Sequence, residues 1–264
     1  MSPELMMWVL LATKMAVTAL FVTAATLIAE RLGATVGALV ATLPVSAGPV
    51  YVFLALDHDS TFIASSAVAS LALNSATAID LTAYVLLAQR RSMWLSVSVA
   101  FVMWLAAVLV LSAVQWTAWS ASVLNAVVFT ACSVIVRPFC RVAMPRTKRP
   151  WYDLVLRAGL VAALVGVVVT LSFKIGPTGS GVLAVFPVIY TSIMLILHRR
   201  VGGPATAAVL ANAVPALAGF GLALLTLHLA AVPLGSAAAL IAALGVSLVW
   251  NAGIYAIRRR QTLA

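Results

Sequence analysis

The chain has 264 residues, of which 64% are apolar and only 8% are charged, and its mean hydropathy is +1.15. A soluble globular domain has about half apolar and a quarter charged residues, so the composition excludes that class. The formal charge of +10 does not indicate a nucleic-acid partner, because the basic residues lie in short blocks between apolar runs. The sequence therefore predicts an all-α, multi-pass membrane protein surrounded by membrane lipids.

Nine apolar runs approach or exceed the roughly 20 residues that a helix needs to cross a hydrocarbon core. They cover residues 6–29, 33–56, 61–89, 92–113, 119–136, 151–173, 178–198, 203–227 and 235–257. The segment before the first run, MSPEL, lacks the positive charges of a cleavable signal. We therefore expect nine transmembrane helices, with the first one retained.

The charged residues between these runs predict their orientation. With the N-terminus outside, the inner loops hold Arg31, Arg90, Arg91, Arg137, Arg141, Arg146, Lys148, Arg149, Arg199, Arg200 and Arg258 to Arg260. The outer loops then hold Asp57, His58, Asp59 and Lys174. Because positive charge favours the cytoplasmic side of a membrane, the sequence predicts an N-out, C-in topology.

An internal repeat divides the chain. A shift of 143 positions, without a gap, lays Lys14 on Arg157, Gly33 on Gly176, Ala41 on Ala184 and Pro44 on Pro187. Each copy contains four predicted helices, and the fifth helix connects the copies, so the second copy is turned upside down. We predict two inverted repeats, at 1–114 and 151–264, joined by a connector helix and basic loop at 115–150. Inverted repeats are typical of secondary transporters.

Two prolines predict interruptions of helices two and seven near the membrane midplane. Pro44 and Pro187 lie close to the middle of their runs, and each removes a backbone hydrogen bond. The first is followed by Ser46, Gly48 and Pro49, and the second by Tyr190, Thr191 and Ser192. Backbone groups released at membrane depth need partners in protein or in a wet cavity. We expect these groups to bind a solute; a structural kink satisfied by neighbouring helices is the alternative.

Lys14 and Arg157 are basic residues inside apolar runs. At 1.5 Å per residue they lie about 13 and 10 Å from the nearer ends of their helices, on opposite sides of the midplane. A cation near the bilayer centre costs roughly 2.5 to 3.5 kcal/mol on insertion scales. The functional interpretation is that both cations face a cavity and balance an anionic solute. The alternatives are snorkelling and, for Arg157, pairing with Asp153 one turn earlier.

Asp80 is the one carboxylate well inside a predicted span. It extends a polar stripe on a single helical face, formed by Ser66, Ser70, Asn74 and Thr77. We expect this face to point into the bundle, with Asn74 contacting solute. For Asp80 three readings stay open: a site that couples transport to protons, a counter-ion to Lys14 or Arg157, and a structural hydrogen-bonded residue.

The sequence offers no pattern typical of catalysis. The three histidines fall near the ends of different runs, and motifs such as HExxH, CxxC and a nucleotide-binding glycine loop are absent from it. Cys132 and Cys140 have neither disulfide nor metal-ligand spacing. We predict neither an enzyme nor a cofactor or metal site.

The first copy, KMAVTALFVTAATLIAERLGATVGALVATLPV, resembles the GlpM-like group of short bacterial inner-membrane proteins of unknown function, which have four predicted helices. The resemblance rests on the early lysine followed by AVTA, the arginine after the first helix, and GALVATLP. In the second copy, Arg157 replaces the lysine and AVTA is lost. The resemblance implies a bacterial inner-membrane location and a fused form of two copies that pair antiparallel.

These patterns together predict a secondary transporter that moves a small anionic or amphipathic organic solute by alternating access. Its binding residues would be Lys14, Arg157, Pro44, Ser46, Gly48, Pro187, Tyr190, Thr191, Ser192 and Asn74, with Asp80 as the proton-coupling group. The alternatives are a passive anion channel and a lipid-handling or assembly protein. We expect a monomer or homodimer.

Overall fold

The computed structural model describes residues 2–31, 46–142 and 151–263, and these are helical almost throughout. The helices are α1 (Pro3–Arg31), α2 (Ala47–Asp57), α3 (Ser60–Leu87), α4 (Met93–Ser112), α5 (Ala118–Val136), α6 (Trp151–Ala184), α7 (Val188–Val201), α8 (Gly203–Leu234) and α9 (Ser236–Leu263). A short 3₁₀ turn, Arg137–Phe139, follows α5. The described residues contain no β-strand, so the predicted all-α class is confirmed for them.

Seven helical stretches in the described ranges are long and apolar enough to cross a membrane. They are Leu5–Ala25, Ser60–Leu87, Met93–Ser112, Ala118–Phe139, Tyr152–Val201, Gly203–Leu234 and Ser236–Ile257. The chain is therefore a multi-pass membrane protein. The count differs from the predicted nine because the first half of run two lies outside the described residues, and runs six and seven fall within the single apolar stretch Tyr152–Val201.

The stretch Tyr152–Val201 contains 50 residues and is interrupted twice. Its first interruption is Gly176, whose φ of 68° and ψ of −171° lie outside helical geometry. Such a positive φ suits glycine, which has no Cβ to collide with the backbone. The predicted loop at Lys174 is wrong: α6 continues through Lys174 to Ala184, and the direction of the chain changes at a single glycine. The second interruption separates α6 from α7.

Helix α3 is the centre of the bundle. Within its most apolar window 83% of residues are buried, compared with 22% in α4 and 22% in α9. It packs against α4, α5, α6 and α8. Many of its residues are alanine, serine and threonine, whose small side chains let neighbouring helices approach closely. Polar side chains on α3 are consequently removed from both water and lipid.

Helices α3 and α8 run antiparallel along most of their length. Near the start of α3, the Ala64 carbonyl accepts a hydrogen bond from His228 Nδ1 at 2.9 Å, close to the end of α8. In the middle, Asn74 Nδ2 donates to the Leu217 carbonyl at 3.0 Å. At the other end, the Ala88 carbonyl lies directly against Gly203. These contacts fix one register between the two helices.

Corresponding helices begin 143 residues apart. Helix α3 begins at Ser60 and α8 at Gly203, while α4 begins at Met93 and α9 at Ser236. The residues before these helices differ in chemistry. In the first half, the Asp59 and Ser92 side chains accept the backbone N–H groups of the first turn. In the second half, glycines with positive φ occupy the corresponding positions. The helix starts thus follow the spacing of the sequence repeat.

Candidate functional site

The interruption between α6 and α7 is the centre of the candidate site. Helix α6 ends at Ala184 and α7 begins at Val188, directly after Pro187. The Phe186 N–H bonds the Leu183 carbonyl, and the Val188 N–H bonds the Phe186 carbonyl. Proline has no N–H to donate, so the α-helical ladder cannot continue through it. The interruption predicted at Pro187 is therefore present.

The polar stripe of α3 faces this interruption. Thr77 Oγ1 donates to the Val185 carbonyl at 3.4 Å, and Ser70 Oγ donates to the Gly181 carbonyl at 2.7 Å. Because Ser70 has a single hydroxyl proton, Tyr51 Oη is the donor in the 2.6 Å contact between those two hydroxyls. Neighbouring side chains thus donate hydrogen bonds to part of the backbone that the interruption leaves unpaired. This is what the structural-kink alternative requires.

Three buried polar atoms of α3 and α4 have no hydrogen-bond partner within the described residues. They are Ser66 Oγ and Asp80 Oδ2 on α3 and Trp104 Nε1 on α4. Asp80 is 3% exposed and Trp104 is 4% exposed. The Trp104 ring packs edge-on against Phe186, with 5.0 Å between ring centroids. Buried polar groups are normally paired, so these atoms are available to a ligand, water or proton.

Lys14 is paired with a carboxylate. Its Nζ lies 2.5 and 2.6 Å from the two carboxylate oxygens of Asp57, the last residue of α2, and both side chains are mostly buried. The Lys14 ammonium also lies 5.9 Å from the centroid of the Phe53 ring. Asp57 is therefore its counter-ion in this structure, which contradicts the reading of Asp80 as the counter-ion of Lys14.

Arg157 is also paired, but within its own helix. Its Nε lies 2.7 Å from Asp153 Oδ1, one turn earlier on α6. This is the local pair that the spacing of the two residues indicated. A neighbouring carboxylate therefore compensates the positive charge of each of these two side chains. Whether either cation binds an anionic solute stays a prediction.

His58 and Asp59 form a polar loop between α2 and α3. His58 Nε2 lies 2.8 Å from Ser172 Oγ on α6, and its ring stacks on Phe62. Burial lowers the pKa of His58, an effect that the nearby Asp57 and Asp59 carboxylates oppose. The pKa of Asp59 is also lowered, chiefly because its carboxylate accepts the Phe62 backbone N–H. This loop lies on the same side of the bundle as the Lys14–Asp57 pair.

The remaining predicted binding residues fall into two groups. In the first copy, Pro44 lies outside the described residues, Ser46 directly precedes α2, and Gly48 lies in the first turn of α2. In the second copy, Thr191 Oγ1 donates to the Pro187 carbonyl at 2.9 Å and Ser192 Oγ to the Ile189 carbonyl at 2.6 Å. Tyr190 is half-buried against the inner core. The hydroxyls of Thr191 and Ser192 thus bond their own helix.

Two cavities lie between other helices of the bundle. One, of about 410 Å³, is enclosed by α1, α2, α8 and α9 and is lined largely by apolar side chains, together with Gly48 and Thr18. The other, of about 570 Å³, lies between α5, α8 and α9. Neither of the two is lined by Lys14 or Arg157.

Sequence reasoning missed two contributors to the site. Trp104 is one, because nothing in its local sequence pattern distinguishes a paired indole N–H from an unpaired one. Tyr51 was not singled out, although it links α2 to α3 through Ser70. Both roles depend on contacts between helices that are distant in sequence.

In the part of the chain that the structure covers, no group of three or more His, Cys, Asp and Glu side chains is placed to hold a metal ion. The resemblance to the GlpM-like group stays a prediction. No protein-family model, no curated protein and no solved structure matches the chain.

Proposed function

We propose that this protein is a secondary transporter of a bacterial inner membrane, which moves a small amphipathic or anionic organic solute by alternating access and couples it to protons at Asp80. The observation that carries the proposal is the position of Asp80. It lies buried one helical turn beyond Thr77, whose hydroxyl reaches the interrupted backbone between α6 and α7, and its Oδ2 has no partner within the described chain.

A carboxylate in this position is costly when it is ionised and unpaired. Binding a proton neutralises the Asp80 carboxylate, whereas exposure to water stabilises its ionised form. An alternation between a closed, protonated state and an open, ionised state would therefore link proton movement to a conformational change. Proton relays in membrane transporters commonly use intramembrane acidic residues in this way.

Three observations support two inverted halves. Helices α3 and α8 begin 143 residues apart, as do α4 and α9, and α3 packs antiparallel to α8. In addition, α4 contacts α7 while its repeat counterpart α9 contacts α2. A twofold axis in the membrane plane explains all of these relations, with Asn74 and Leu217 meeting near it. The 50-residue stretch Tyr152–Val201 is long enough to cross the membrane twice, since roughly 20 residues suffice for one crossing.

The solute class follows from the charges and the cavity lining. Because Lys14 and Arg157 each have a carboxylate partner, an anion would have to compete with Asp57 or Asp153. The cavity that includes Gly48 is lined mainly by apolar side chains and has the size of a site for a small molecule. These features favour an amphipathic solute whose apolar part occupies this cavity.

The same features favour a carrier over a passive anion channel. A channel requires a continuous polar path with cations along it, whereas the two cavities are separate in their lining and lack Lys14 and Arg157. Flux through a carrier saturates as the solute concentration rises, and electrical current through a channel does not saturate at low concentration. The lipid-handling alternative is favoured by the 570 Å³ cavity along α5, α8 and α9.

The proposal is tested with purified protein in two steps. A thermal-shift screen against small carboxylic acids and neutral amphipathic metabolites first identifies a solute that stabilises the folded state. Proteoliposomes loaded with a trapped pH indicator then report whether a gradient of that solute moves protons. We expect wild-type protein to do so, and Asp80→Asn to bind the solute without moving protons.

Asp59→Asn is the matched control, because asparagine also caps a helix well and Asp59 is exposed. It should retain wild-type proton flux. Undiminished solute-driven proton flux in Asp80→Asn would contradict the proposed coupling site, and flux without saturation would favour the channel.

A further inference from the structure

A groove of about 570 Å³ runs along the connector helix α5, between it and α8 and α9. On α5 its lining residues recur every three or four positions from Ser122 to Arg137, so they occupy one helical face. Ser122 and Arg137 are therefore about 22 Å apart along the helix axis, at 1.5 Å per residue. Half of a hydrocarbon core is about 15 Å thick. The groove is therefore long enough for an acyl chain of one membrane leaflet.

The polarity of the groove changes along its length. At one end lie the exposed guanidinium of Arg137 and the hydroxyls of Ser133 and Thr130. At the opposite end, the donors of Asn125 and Ser122 are already used: Asn125 Nδ2 donates to the Leu71 carbonyl at 2.9 Å, and Ser122 Oγ donates to the Ala118 carbonyl at 2.7 Å. Polar groups thus face a ligand at the Arg137 end, while the opposite end is suited to a hydrocarbon chain.

The far wall of the groove is held in place by Trp250. Its indole Nε1 donates to the Pro215 carbonyl at 2.9 Å, and its ring lies directly on Gly219, where a Cβ would overlap it. The apolar lining continues with Phe129, Leu222 and Leu225.

The positive charge at the Arg137 end of the groove indicates which lipid headgroup would bind there. Arg137 has no ion pair with any described residue, and the whole chain has 16 lysines and arginines against 6 acidic residues. A guanidinium binds phosphate through two parallel hydrogen bonds, which an isolated hydroxyl or ammonium cannot provide. An anionic phosphate complements the charge of Arg137, and the acyl chain packs against the apolar residues of the groove.

We propose that the groove between α5, α8 and α9 is a binding site for one anionic phospholipid, with its phosphate at Arg137 and an acyl chain along the face of α5 toward Asn125. This site does not depend on the transport activity proposed above. It assigns the connector helix a role in recognising the lipid of the leaflet in which Arg137 lies.

The test uses the full-length protein in vesicles of phosphatidylcholine mixed with phosphatidylglycerol. Either lipid carries bromine atoms on its acyl chains, which quench tryptophan fluorescence on contact. The signal of Trp250 is obtained as the difference between wild-type protein and Trp250→Phe, which retains a ring over Gly219. We expect half-maximal quenching at an about fivefold lower fraction of brominated phosphatidylglycerol than of brominated phosphatidylcholine, the preference that one arginine gives at an anionic surface.

Arg137→Gln should remove this preference, whereas Arg91→Gln, an exposed arginine in another loop, should leave it intact. Ala126→Phe fills the groove from an exposed position on α5 and should reduce quenching by both lipids; Val127→Phe, adjacent but outside the lining, should not. Equal quenching by both lipids in wild-type protein would overturn the proposal. An unchanged preference in Arg137→Gln would overturn the assignment of the phosphate.

Discussion

Helices α3 and α8 pack against each other and begin at corresponding positions of the repeat, yet their chemistry differs. The polar stripe of α3 consists of Ser66, Ser70, Asn74, Thr77 and Asp80, whereas the residues 143 positions later are Val209, Ala213, Leu217, Phe220 and Ala223. The second half instead contributes the interrupted helix whose carbonyls the stripe contacts. The two halves thus share helix positions, while the polar groups of the site come from one half and the opened backbone from the other.

The largest loss of stability is expected from a substitution that separates α3 from α6. A Cβ at Gly181 would overlap the backbone carbonyl of Ser66, and a backbone atom cannot move aside as the end of a flexible side chain can. We expect Gly181→Ala to destabilise the protein by about 1–3 kcal/mol, as overpacking of a close contact does. The thermal unfolding midpoint in detergent would measure the change.

Gly245→Ala is the matched control, because a Cβ there meets no atom within 4 Å. It should leave stability unchanged or raise it by up to about 1 kcal/mol, the helix-propensity difference between glycine and alanine. Equal midpoints for the two variants would show that α3 and α6 are not in tight contact at Gly181.

The two halves also differ in how they neutralise equivalent cations. Lys14 pairs with Asp57 on another helix, while Arg157 pairs with Asp153 on its own helix. We expect a double-mutant cycle of Lys14→Met and Asp57→Asn to give a coupling energy of about 1–3 kcal/mol, as for contacting residues in a tertiary pair. The corresponding cycle of Arg157→Met and Asp153→Asn should give a smaller value. A larger coupling in the second cycle would contradict this assignment.

A smaller effect is expected from pH at the loop beside the first pair. Burial lowers the pKa of His58 in the folded state, and the neighbouring groups are Asp57 and Asp59, which raise it, and Lys14, which lowers it. His58 therefore binds a proton more readily in the unfolded chain than in the folded one. The folded state consequently loses stability as the pH falls below the ordinary histidine pKa of about 6.5. Thermal unfolding at pH 7 and pH 5.5 measures this loss. In His58→Gln the decrease should be smaller by a few degrees; an identical decrease would exclude His58 as its source.

Much of the helical framework could be predicted from the sequence, because length and hydropathy determine which segments enter a membrane. The run predicted at 92–113 matches α4 and the run at 119–136 matches α5 within one or two residues. The interruption at Pro187 followed from the missing N–H of proline. These features depend on residues that are adjacent in the chain.

The contacts of the site could be predicted only in part. Pairing of Arg157 with Asp153 is one of the alternatives that the sequence offers, because the two residues are one helical turn apart. Asp57 was placed in a loop and not assigned to Lys14, since their pairing depends on how α1 packs beside α2. Likewise, the continuation of α6 through Lys174 depends on the backbone geometry of Gly176, and glycine in the sequence does not reveal its φ.

The central claim is that the polar stripe beside the interruption is reached from one side of the membrane at a time. Thr77→Cys, in a background with Cys132→Ser and Cys140→Ser, places a thiol at that point. Membrane-impermeant thiol reagents applied to either side of oriented vesicles then measure access as pH and solute gradients are changed. Alternating access predicts labelling from each side under opposite gradients and not from both sides together; labelling from both sides at once, or from neither under any condition, would contradict the account.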